Sequence, residues 1–292
     1  MQIRRITVIV LLLFLMALSG SVMADSVRVI SYGADLTNEQ REKVYGIFGL
    51  KEADKQNIAV TGVSNEEERD YLEGLVESDI IGEKAISCAY VELLGDGAGI
   101  TVQTNNITWV TPEMYASALT TAQVKDAKVI AAAPFPVSGT AALTGIFKAF
   151  EAATGKSLDR EAKGVANEEM VRTGEIGKSI DDNQKATDLI MRIKEEIVRR
   201  NLSDPEEIRQ VIINISNELN INLTDEQIEQ LISLMQKIKK LNLNVSEINT
   251  QLKDIRSKLD NLAAQGEGIK GFLQRIIDFL AQIVNSIKSL FG

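Results

Sequence analysis

The residues that could do chemistry in this chain are few, and the types that are missing matter first. Its 292 residues include no histidine. That removes Ser-His-Asp and Cys-His catalysis, histidine metal ligation and the usual proton shuttle near neutral pH. Cys88 stands alone, in the strand-like run Ala85-Ile86-Ser87-Cys88-Ala89-Tyr90-Val91 with no basic neighbour to lower its pKa. It reads as a small buried hydrophobe, and an intrachain disulfide is impossible. Asp96 sits in Gly95-Asp96-Gly97-Ala98-Gly99, which lacks the spaced carboxylates of a calcium loop and reads as a plain turn. No spacing indicates a cofactor or a metal. Asp and Glu gather at helix starts, as in Glu66-Glu67-Glu68, where first-turn charge complements the helix dipole.

The stretch Pro134-Phe135-Pro136-Val137-Ser138-Gly139-Thr140-Ala141-Ala142-Leu143-Thr144-Gly145 is the best candidate for a ligand loop. It leads from an apolar strand through small residues into a helix, where backbone N–H groups can hold an anion. Ser138, Gly139 and Thr140 are the candidate ligand residues. The loop lacks a P-loop lysine and the glycine fingerprint of a dinucleotide site. Close helix-on-sheet packing, with Ser138 as the helix cap, accounts for the same small residues.

The elements that must position these residues follow from periodicity and cap signals. Residues 25–155 read as a mixed α/β domain. Val27–Ile30 and Ile58–Val63 alternate as strands, Thr37 with Gln40 forms a capping-box signature, and Ser64 opens a second helix. Lys84–Leu94 and Ile100–Val110, joined by the glycine turn, predict a hairpin. Pro112 opens another helix, Asp126–Ala133 is a strand too apolar for an exposed face, and Gly139–Ala153 is helical. Residues 156–180, punctuated by Gly164, Gly174 and Gly177, predict a connecting segment with a short helix over 167–172. Residues 181–264 have helical apolar spacing throughout and predict a helical array, with start signals at Ser203-Asp204-Pro205 and Thr224-Asp225-Glu226-Gln227. The fold class is therefore α+β: an N-terminal mixed sheet domain followed by an all-α module.

Two blocks, Asn106-Ile107-Thr108-Trp109-Val110-Thr111 and Ala133-Pro134-Phe135-Pro136-Val137-Ser138-Gly139-Thr140-Ala141-Ala142-Leu143-Thr144-Gly145-Ile146, resemble the hallmark segments of an exported bacterial family. That family is catalogued as domain of unknown function 1002 and occurs largely in Gram-positive bacteria. The resemblance runs from about Ser26 into the helical half. It implies an envelope or extracellular location and brings no activity or catalytic residues with it. Pro136 departs from the non-proline residue expected in the second block and would stiffen the loop.

Both ends of the chain bear on location. Arg4 and Arg5 precede an apolar run from Ile6 to Leu18, followed by Ser19-Gly20-Ser21 and Val22-Met23-Ala24. This is the order of a signal peptide, residues 1–24, with cleavage between Ala24 and Asp25 and export by the general secretory route. The run is shorter than the roughly 20 residues of a spanning helix. Net charge is −9, and loss of the two leader arginines leaves −11. So acidic a chain is not expected to bind nucleic acid, which requires clustered Lys and Arg.

At the other end, residues 265–292 comprise a glycine hinge and a sharply amphipathic helix. Phe272, Ile276, Phe279, Leu280, Ile283, Ile287 and Leu290 fall on one arc of about 160° with the other apolar residues. Three roles stand open for this face: packing on the protein's own body, lying in a membrane surface, or mediating homo-oligomer or partner contacts.

The expected function is that of an exported envelope or extracellular binding or interaction module without catalytic activity. The alternative is a histidine-independent hydrolase acting on an envelope substrate. Liposome flotation of the mature protein with and without residues 266–292 tests the membrane role of the last helix. Flotation that depends on those residues supports it, and equal behaviour of the two forms removes it.

Overall fold

In the first half each of the longer helices outside the ligand loop begins where a side-chain oxygen takes up a backbone N–H. Thr37 caps α1 (Asn38–Ile47) by accepting from Gln40 N, and Gln40 returns a bond to the Thr37 backbone. Ser64 and Glu67 do the same for α2 (Asn65–Leu72). These reciprocal caps are the ones the sequence spacing predicts. The computed structural model describes residues 26–76 and 78–257. The expected leader, residues 1–24, and the expected C-terminal amphipathic helix bearing Phe272 to Leu290 lie outside the described residues. Within them, no helix is long and apolar enough to cross a membrane.

The strands are β1 (Arg28–Gly33), β2 (Ala59–Val63), β3 (Cys88–Leu93), β4 (Ile100–Ile107) and β5 (Ala127–Val137). They form one mixed sheet in the order β2-β1-β3-β5-β4. The outer pairs β1–β2 and β4–β5 are parallel, whereas β3 runs antiparallel to both β1 and β5. The predicted hairpin therefore does not form: β5 lies between β3 and β4. The turn at Gly95–Gly99 carries the chain past the start of β5, where Leu94 N donates to Asp126 O and Asp126 Oδ1 accepts from Gly99 N. Ala127-Lys128-Val129-Ile130-Ala131-Ala132 is too apolar for an edge, and burial on both faces outweighs the short connection that favours a hairpin.

β5 also runs further than Ala133, through Pro134 and Pro136 to Val137. Prolines fit there because β3 pairs with β5 only as far as Ala132, so no ladder bond is required on that side.

One face of the sheet presents Ile30, Tyr32, Cys88, Tyr90, Ile130 and Ala132 to Val44, Tyr45 and Phe48 of and beside α1. The other face carries Val29, Ala89, Val91, Val129 and Ala131. On it lie α4 (Pro112–Thr121) and α5 (Thr140–Thr154), preceded in the chain by the short α3 (Ser78–Ile81). The alternation along β1, β3 and β5 is the period-2 pattern of a sheet covered on both faces.

The second half comprises α6 (Arg160–Ile180), α7 (Asn183–Arg200), α8 (Pro205–Glu218), α9 (Asp225–Lys240) and a helix over 245–257. Thr224 caps α9 as its start signal predicts, and α8 is capped by Asp204, one residue after the Ser203 that follows Leu202. The glycine-punctuated stretch read as a connecting segment is instead a continuous helix, α6. Two of its glycines are packing devices: a Cβ on Gly174 would overlap Trp109, and one on Gly177 would overlap Asn183. Nor do residues 155 and 180 separate two cores. One apolar cluster runs from Val29 and Val129 in the sheet to Leu231, Met235, Leu252 and Ile255 in the last helices.

A buried polar group lies at this seam. Lys194 on α7 is 0% exposed, and its Nζ lies 2.7 Å from Glu169 Oε1 on α6. From α4 it meets Ser117 O at 2.8 Å, Ser117 Oγ and Thr120 Oγ1 at 3.0 Å, and Thr121 Oγ1 at 3.1 Å. Ser117 and Thr121 hydroxyls donate to the two oxygens of Glu169. Removing one partner strands a buried charge, so Lys194→Met or Glu169→Gln alone should cost about 3–5 kcal/mol. The double variant should cost less than the sum of the two, because the residues act as one unit. Urea denaturation checks this, and additive costs would count against it.

Candidate functional site

A cleft of about 610 Å³ opens where the ends of β4 and β5 meet α2, α3 and α6. Its lining includes Ser138, Gly139 and Thr140, so the candidate loop does border a cavity. The loop is held from several sides. Trp109 N and Val110 N both donate to Ser138 O, and Thr108 N donates to Val137 O. The two blocks that the sequence singles out, 106–111 and 133–146, are thus neighbours along one cleft wall.

Gly139 is required at its position by two independent constraints. Its φ is +99°, a left-handed conformation that strains any residue with a Cβ, and a Cβ there would overlap Ile107 and Tyr115. Tyr115 Oη donates to Gly139 O from below. Burial pushes the Tyr115 phenol well above its ordinary value, so it remains a neutral donor.

Ser138 does not cap α5. The N-cap is Gly139, which has no side chain for the purpose. Ser138 Oγ instead donates to Ile80 O at 3.0 Å and lies 3.2 Å from Thr140 Oγ1, tying the loop to α3. The segment that follows α3 is held by Arg69 Nη2, which donates to Gly82 O at 2.6 Å, and by Ala85 N, which donates to Asp35 Oδ2 at 2.8 Å.

The residue that the sequence reading passes over is Glu68. The acidic triplet divides into three roles: Glu66 is exposed, Glu67 completes the capping box and pairs with Lys148, and Glu68 turns inward. Glu68 is 1% exposed and lines the cleft. Asn65 Nδ2 lies 3.5 Å from its Oε2, and Thr140 hydrogen-bonds the carboxyl. Its Oε1 has no hydrogen-bond partner among the described residues. Burial raises the carboxyl pKa from 4.5 to about 7, against smaller lowering effects of Thr140, Asn65 and Arg69. A helical signal was present: Glu68 lies three and four residues before Tyr71 and Leu72, on the apolar face of α2.

Around Glu68 the walls are Ile80, Ile86, Val137 and Trp109, with the Thr108 and Ser87 hydroxyls. Lys84, Lys178 and Glu83 are exposed at the rim. Cys88 is elsewhere, buried under α1, and burial pushes its thiol up to about 12, so it is an inert core residue. Among the described residues no group of three or more Cys, Asp or Glu side chains converges as a metal site.

Comparison with known proteins accords with the two blocks on the cleft wall. The family described as "Protein of unknown function (DUF1002)" matches residues 32–255. The chain belongs to this family. It is also 37% identical over 264 residues to the uncharacterised protein YpuA of Bacillus subtilis (strain 168), covering 90% of this chain and 89% of that protein. No solved structure matches. In this DUF1002 member the matched region contains every cleft residue named above.

The raised pKa of Glu68 carries a stability consequence. Between pH 4.5 and about 7 the folded protein holds a proton that the unfolded chain has released. Stability is therefore greatest below that window and falls as pH rises through it, by up to about 3 kcal/mol. Glu68→Gln should flatten this slope and stabilise the protein at pH 8, as read from urea midpoints at pH 5 and pH 8. An unchanged slope in the variant would show that Glu68 ionises freely in the fold.

Proposed function

We propose that this chain is an exported protein of the cell envelope or its surroundings that works by binding, with the Glu68 cleft as its ligand site. The observation that carries this reading is the cleft itself. It combines a volume in the range of small-molecule sites with apolar walls and one buried carboxyl that lacks a full set of partners. Such a carboxyl is costly to the fold and is explained if a ligand meets it. Export is supported by Arg4 and Arg5, the apolar run after them and the small residues up to Ala24.

The hydrolase reading has one observation in its favour, since a carboxyl with a pKa of about 7 suits general acid–base work. The surroundings favour binding. Among the described residues the only other carboxylate lining the cleft is Glu83, out on the rim, and Ser138 Oγ is committed to a backbone carbonyl. The pairing of a serine with a lysine does occur, at Ser117 and Lys194, but sealed in the core with Glu169 and away from any substrate.

Two measurements test the proposal. The full chain, produced in a bacterium with a general secretory pathway, should be recovered outside the cytoplasmic membrane with Asp25 as its first residue. Retention in the cytoplasm with Met1 in place would sink the export reading. Because Trp109 is the single tryptophan, its indole N–H resonance reports on the cleft without assignment. Screening a small-molecule library by NMR should yield compounds that shift it saturably, and a library that leaves it unmoved at millimolar concentration would remove the binding reading.

A further inference from the structure

Glu68 also indicates what kind of ligand the cleft takes. Its Oε1 is a strong acceptor on a side chain only 1% exposed, and among the described residues no cation hydrogen-bonds to it. Arg69, one residue on, spends its guanidinium on Asn65 Oδ1 and Gly82 O. Lys148 is drawn to Glu67 and Lys163 to Glu151. Lys84 and Lys178 remain exposed at the rim. A buried carboxylate recovers its lost hydration best from a group that is both a donor and positively charged.

We propose that the cleft recognises an aliphatic primary amine, with the ammonium on Glu68 Oε1 and an anionic group of the same ligand at the rim by Lys84 and Lys178. This rests on the reading of the cleft as a ligand site. Ile80, Ile86 and Val137 provide the apolar wall that an alkyl chain needs, and Trp109 adds an aromatic surface that attracts an ammonium. The rim holds two lysines against one glutamate, Glu83, which favours a ligand with a carboxylate at its far end over a diamine. A neutral hydroxyl could bond to Glu68 but would leave its charge uncompensated.

The test uses 6-aminohexanoate and its hydroxyl counterpart 6-hydroxyhexanoate, titrated into the mature protein and followed by calorimetry and by the Trp109 indole resonance. At pH 8 the amine should bind at least about tenfold more tightly, the difference expected between a charged and a neutral hydrogen bond. Glu68→Gln, with an unchanged amide spectrum as its folding control, should abolish the preference.

A second arm needs no variant. Lowering the pH to 5.5 protonates Glu68 and should remove the preference in the wild-type protein. The groups facing Glu68 are Asn65 and Arg69 on its own helix, Thr140 of α5, buried Tyr115 of α4, Lys178 of α6, and Glu83 and Lys84 at the rim.

Equal binding of the two compounds at pH 8, or a preference that survives Glu68→Gln, would overturn the amine assignment and leave the ligand cleft standing. If neither compound binds, the amine assignment is overturned. If the library screen also leaves Trp109 unmoved, the ligand cleft goes with it.

Discussion

The Lys194 ammonium of α7 can be buried only because two other helices deliver oxygens to it together. α4 supplies Ser117, Thr120 and Thr121, and α6 supplies Glu169. Each donor and acceptor in that cage would be a large penalty if unmet. The fold is therefore committed to one relative placement of α4, α6 and α7. Since α4 packs on the sheet and α7 on the helices that follow, the cage also fixes how the two halves of the chain meet. Apolar packing is tolerant of small slides between helices, but a buried ion pair with directional bonds is not.

The cleft lies at the same seam, and its shape follows from that commitment. Trp109 stands just before α4, and its ring lies where a side chain on residue 174 of α6 would otherwise project. Asn183, at the start of α7, donates to Trp109 O at 3.3 Å. The wall that Trp109 and Ser138 share is thus tied to α6 and α7 through Trp109 and to α3 through Ser138. Glu68 lines the same cleft. Position 139 has to be glycine for the β5–α5 turn to pass Ile107 and Tyr115, so packing and site-building place demands on the same residue. The two explanations of the small-residue loop are not rivals.

Much of the local structure was legible because its causes are local. The boxes at Thr37 and Gln40 and at Thr224 and Gln227 form as spaced, since each cap needs only its own helix turn. Inferences that required knowing a neighbour failed. Gly95–Gly99 looks like a hairpin turn, yet the apolar β5 takes the place between β3 and β4. Gly164, Gly174 and Gly177 look like helix breaks, but two of them admit Trp109 and Asn183 from other segments. The lost helix propensity of roughly 1 kcal/mol per glycine is offset by that close approach. Ser138 resembles a cap and instead bonds across to Ile80.

By itself the sequence determined the α+β class, the helix starts at Thr37, Ser64 and Thr224, the absence of histidine and disulfide chemistry, and the loop at Ser138, Gly139 and Thr140. All of these depend on composition or on residues within one turn of each other. The tertiary structure decided that the loop borders a cleft, that Glu68 completes it 70 positions earlier in the chain than Ser138, and that Lys194 and Glu169 join the two halves. Glu68 shows why. A glutamate in the first turn of a helix normally faces water, and only the packing of α2 against the ends of β4 and β5 makes this one a buried acceptor with a pKa of about 7. Desolvation is a property of the surroundings, and those are assembled from distant parts of the chain.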